Sequence, residues 1–178
     1  MSAKLKPLTI AEAVSRGFSL INDLRIDMQE ACDNIGDRLC DPELYIEDIE
    51  HRISQLDGVL SHKPDTESIL KDLGDILVVY VPPRRRRSWR IGEYVQAQLK
   101  SAVDLLESAH TALTRIKHDR ERCLNALRDK QARTKLQAVV ETVNGMLEKL
   151  DATLNELGDV WFPDWYGPYR YFCCFEAA

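Results

Sequence analysis

Apolar residues recur at three- and four-residue steps along most of this chain, the spacing that lays a buried stripe along one face of an α-helix. The first stripe is Val14, Phe18, Ile21, Leu24, Met28, Ala31 and Ile35. Thr9 and Glu12 stand before it as a capping box, in which hydroxyl and carboxylate satisfy each other's helix-end amides. Gly36 supplies a C-terminal stop. Asp41-Pro42-Glu43 then opens a second helix, with an acid at the N-cap and proline at the first helical position. Its stripe is Tyr45, Ile46, Ile49, Ile53, Leu56 and Leu60, ending before Pro64.

Residues 65–81 carry two signals. The β-branched content of ILVVYV suits a buried strand. Ile69, Leu70, Leu73, Ile76, Leu77 and Tyr80 nevertheless trace a helical face with Asp65 as its cap. The spacing therefore predicts a third helix, ended by Pro82-Pro83.

Beyond the prolines the pattern lengthens. No glycine or proline interrupts the 52 residues between Gly92 and Gly145. Leu99, Ala102, Leu106, Ala109, Leu113, Ile116 and Cys123 to Leu127 keep one phase, and Leu136, Val139, Val143, Met146, Leu150 and Leu157 keep another. The phases do not match across Leu127 to Leu136, so a turn near 128–134 folds the segment into a hairpin. A single unbroken helix of that length would need a partner chain to bury its stripe.

The fold class expected is all-α: a helical bundle with a long C-terminal helical hairpin and an irregular, aromatic-rich C-terminal strap. Residues 1–81 form an acidic three-helix region, 82–90 a basic Pro/Arg linker, 91–160 the hairpin and 161–178 the strap. The length suits one domain with a real core or two small helical units.

Composition adds that the chain resembles a globular protein, with 44% apolar and 30% charged residues. The longest apolar run, Ile76 to Val81, is too short to cross a bilayer, and MSAKLKPLTIAEAV has no sustained apolar signal core. Five cysteines form no disulfide framework. These features lead us to expect a cytoplasmic protein with no membrane partner.

The net charge of −5 is unevenly spread. Residues 1–83 carry 8 basic and 16 acidic side chains, whereas RRRRSWR at 84–90 carries five arginines and no acid. Residues 115–135 form a second basic island, with 8 basic and 3 acidic residues. Arg84, Arg85, Arg86, Arg87 and Arg90 have the forks that grip phosphates, and Trp89 can stack on a base. That loop is a candidate contact for nucleic acid or an acidic partner. It equally suits a solvated linker that offsets the acidic first half.

Eight of the 13 aromatic residues fall in WFPDWYGPYRYFCCF at 161–175. Trp161, Phe162, Trp165, Tyr166, Tyr169, Tyr171, Phe172 and Phe175 are candidate anchors, either for the chain's own core or for a partner groove. Self-docking is the favoured reading, because eight exposed aromatics invite aggregation. Asp48-x-x-His51 and Glu107-x-x-His110 have an i, i+3 spacing found in carboxylate-bridged metal bundles, although such pairs are more often surface features.

Glu47-Asp-Ile-Glu50, followed by Asp72-Leu-Gly-Asp75, resembles the E-x-x-E … E-x-x-D signature of the MazG-like all-α nucleoside triphosphate pyrophosphohydrolases. The resemblance covers about residues 43–80, with Asp72 where the family has glutamate. It implies Glu47, Glu50, Asp72 and Asp75 as ligands for Mg²⁺ on a triphosphate. Against this stands the leading expectation, a non-catalytic helical protein–protein interaction protein without a cofactor. It would serve as an assembly factor, adaptor or inhibitor, or self-associate. A nucleic-acid-contacting subunit working through the Arg84–Arg90 loop is the further alternative.

Overall fold

The computed structural model describes residues 6–35, 42–65, 77–80 and 91–160. Among these, strand β1 (Lys6–Thr9) leads into helix α1 (Ile10–Ile35), followed by α2 (Pro42–Ser61), strand β2 (Leu77–Tyr80), α3 (Ile91–Ala126) and α4 (Lys130–Asp159). The fold is all-α, its helices packed mainly against one another. They form a ring in which α1 lies between α2 and α3, and α4 closes the circle by touching both α3 and α2. Among the described residues, no helix is long and apolar enough to cross a membrane.

Helix α1 begins where the sequence places its cap. The Thr9 amide donates to Glu12 Oε2 at 2.8 Å, and the Glu12 amide donates to Thr9 Oγ1 at 3.2 Å, the reciprocal bonds of a capping box. Val14, Phe18, Ile21, Leu24 and Met28 are all buried, as the periodicity requires. In α2 the buried side chains are Ile49, Ile53, Leu56 and Val59. The hairpin turns at residues 127–129, and Asp129 caps α4 by accepting from the amides of Gln131 and Ala132. Ala102, Leu106, Ala109, Leu113 and Ile116 from α3 meet Val143, Met146, Leu150 and Leu157 from α4 in the shared core. Cys123, expected on the stripe, is exposed; the neighbouring Leu124 is buried instead.

Residues 77–80 correct the helical reading of that segment. They form a strand, antiparallel to β1, with Leu8 opposite Val78 and Thr9 opposite Leu77. A strand alternates faces at every residue, so Val78 is buried while Leu77 is 59% exposed. A helical face would have buried Leu77. The partner strand lies at the far end of the chain, and its ladder overrides the local spacing. Leu8 and Val78 then join Ile10 and Val95 in the core, so the small sheet caps the bundle beside the starts of α1 and α3.

The seam between α1 and α3 is the tightest. A Cβ built on Gly17 would sit 2.9 Å from both Cγ and Cδ2 of Leu106, and 3.4 Å from the Ala102 carbonyl oxygen. Leu106 is fully buried and has no free space to yield. Gly145 faces the opposite situation, an exposed helical position with nothing within 4 Å of its Cβ. Gly17→Ala should therefore lose about 1 kcal/mol net, because overpacking outweighs the gain in helix propensity. Gly145→Ala should gain about 0.5–1 kcal/mol. Urea denaturation of the two variants checks the opposite signs.

Candidate functional site

Among the described residues, polar side chains bridge α1 to α2, α2 to α4 and α3 to α4. Arg25 on α1 donates from Nε to Asp57 Oδ1 on α2 at 2.9 Å. His62, just past α2, lies 2.9 Å through Nε2 from Glu156 Oε1 on α4. His110 on α3 lies 2.9 Å through Nε2 from Asp151 Oδ1 on α4. Helix α4 is thus pinned to both neighbours by histidine–carboxylate contacts. The partners are a third to a half exposed in most cases, so each bridge is worth the modest amount typical of a solvated pair.

These contacts decide the fate of the histidine–acid pairs read from the sequence. Asp48 does not turn to His51. It receives Nε and Nη2 of Arg52, one turn on, both at 3.1 Å. His51 is exposed. Glu107 is exposed as well, while His110 reaches across to Asp151 rather than along its own helix. Among the described residues, no three His, Cys, Asp or Glu side chains gather as a metal site would require.

Glu47 and Glu50 are exposed on α2, beside the buried stripe that contains Ile49 and Ile53. Asp72 and Asp75 lie outside the described residues. So do Arg84, Arg85, Arg86, Arg87, Trp89 and Arg90, and the aromatic positions between Trp161 and Phe175. Glu50 has a visible electrostatic effect nonetheless. Burial first, and then the charges of Glu50 and Asp33, push the Cys32 thiol above its ordinary range. Cys32 is therefore held as a neutral thiol, the opposite of an activated nucleophile.

The feature that local motifs did not single out is the outer part of the hairpin. The main core ends at Ile116 on α3 and resumes with the core-packed Val139 on α4. Between them, over residues 117–138, only Leu124 is buried. Helix α3 continues ten residues past Ile116, about 15 Å at 1.5 Å per residue. With 36 residues it is much longer than α1, with 26, or α2, with 20. The outer part of the hairpin, residues 117–138, thus lies beyond the main core and forms its arm. Residues 117–138 hold seven Lys and Arg against three carboxylates. Its signal in the sequence was the conjunction of a basic island with the phase break between Leu127 and Leu136.

Comparison with known proteins gives no match among family models, curated proteins or solved structures.

The two histidine bridges make a direct prediction. A double-mutant cycle over His110→Ala and Asp151→Ala should give a coupling of no more than about 1 kcal/mol, and the same holds for His62→Ala with Glu156→Ala. Thermal melts of the singles and doubles measure it. A coupling of several kcal/mol would mean that α4 depends on these pairs more than on its apolar stripe.

Proposed function

We propose that the chain is a non-catalytic helical interaction protein, an adaptor or assembly factor that holds another macromolecule. The observation that supports this reading is the arm. A helical hairpin that extends about 15 Å past the last core residue buries little apolar surface of its own. Leu124 is its one buried residue, and Leu127 and Leu136 are half-buried. Such an extension contributes little to the stability of the bundle, and its exposed charge makes it available for contact. The body supplies the rigid base: α3 and α4 enter the arm from a core shared with α1 and α2.

The reading is tested by shortening the arm without disturbing its base. Removing residues 117–123 and 131–137 takes two turns from each helix, keeps the phase of both stripes, and leaves the turn and Asp129, with the amides of Ala138 and Val139 taking the places of Gln131 and Ala132 at its cap. The shortened protein should keep its helical content and cooperative unfolding. In parallel captures from extracts of the native host, it should lose the macromolecule retained by the full chain. A folded, shortened protein that recovers the same partner refutes the assignment.

A further inference from the structure

The chemistry of the arm narrows what it holds. Arg122, Arg128, Lys130, Arg133 and Lys135 are all exposed on it, with Arg115 exposed at its base. The three carboxylates of the arm are already engaged within it. Asp129 accepts from the amides that open α4, Glu121 lies 3.5 Å from His118, and Asp119 lies 3.9 Å from Arg122. Arg128, Lys130, Arg133 and Lys135 have no side-chain ion pair among the described residues. The turn thus carries an excess of positive charge at the end of the hairpin. That arrangement opposes folding and favours an anion.

Two kinds of macromolecule carry dense negative charge, and the apolar surface separates them. A protein interface needs a desolvated apolar centre inside its polar rim. The large hydrophobic residues exposed among the described residues are Ile26 and Leu77, neither of them on the arm. A phosphate backbone needs no such centre and is gripped by charge alone. We infer that the arm binds the phosphate backbone of duplex nucleic acid, independently of base sequence. This rests on the arm being the contact element proposed above.

Geometry and composition sharpen the claim. Two packed helices, each about 10 Å across, are too wide for a major groove of about 12 Å, so the arm lies across backbones instead of reading base edges. Segment 115–135 contains no Phe, Tyr or Trp, the side chains that most often hold single-stranded bases by stacking. The acidic first half, with 16 Asp and Glu against 8 Lys and Arg in residues 1–83, is repelled by the same phosphates. The body is thereby directed away from the duplex while the arm makes contact.

The test is fluorescence anisotropy of the full chain with a labelled duplex of arbitrary sequence, at several salt concentrations. The combined variant Arg122→Gln, Arg128→Gln, Arg133→Gln should bind at least about tenfold more weakly at low salt. Its salt slope should be shallower by about 0.9 for each phosphate that the variant no longer neutralises. Arg16→Gln with Lys100→Gln, on the body, should change neither quantity. Thermal melts verify that all variants remain folded. Failure of the parent to bind at low salt, unchanged binding by the triple variant, or equal competition by polyglutamate at matched charge each overturns the inference. If the purified chain ignores the duplex but host capture still depends on the arm, the phosphate assignment falls and the interaction reading stands. If capture too is indifferent to the arm, both fall.

Discussion

The close approach of α1 and α3 at Gly17 is the constraint on which the bundle depends. The other three seams combine apolar packing with a polar bridge at the surface. Between α1 and α3 the absence of a side chain lets Leu106 lie directly against the α1 backbone. That position brings Phe18 and Ile21 into the same layer as Ala102, Leu105 and Leu106, all essentially without solvent exposure. The small sheet reinforces the seam from its end, through Leu8 and Val78. With α1 and α3 fixed together, α2 and α4 have only to lay their stripes into the remaining groove.

Burial inside the ring also explains how a few polar side chains are tolerated. Thr153 on α4 is fully buried, and its hydroxyl donates to the Lys149 carbonyl one turn earlier at 2.8 Å. Ser101 on α3 makes the equivalent bond to Ala97. Each satisfies its hydroxyl on its own helix and asks nothing of the neighbouring one. The polar contacts between helices stay at the rim, where water shares in their cost. Gln98 Oε1 on α3 and Asn144 Oδ1 on α4 are the exceptions among the described residues, buried without a hydrogen-bond partner.

The parts of this architecture legible in the sequence are those written in local spacing. Thr9 and Glu12 announced α1, its stripe gave its buried face, and the mismatch between Leu127 and Leu136 gave the turn of the hairpin. The strand at 77–80 was signalled by its β-branched content but outweighed by helical spacing, because its ladder is with residues 6–9 and no window of the sequence contains both. Leu77 shows the consequence: helical spacing buries it, while the pleat turns it outward. The histidine bridges were hidden for the same reason, since His62 and Glu156 are 94 positions apart. The Asp48–His51 spacing stayed a surface feature, as expected, with His51 exposed and Asp48 paired to an arginine one turn away. The arm was half legible. Its charge stood out, but only the boundary of the core shows that this charge lies outside it.

The order of elements around the ring has a consequence for how the chain reaches its native state. Two seams, α1 with α2 and α3 with α4, join helices that are neighbours in sequence and can form by closing short loops. The other two seams, and the β1–β2 ladder, join distant parts of the chain and carry a larger closure entropy. Each hairpin alone leaves one apolar flank bare, so neither is stable until the two meet. Docking of one hairpin on the other therefore carries the larger closure entropy, and Gly17 sits at the surface where the two meet.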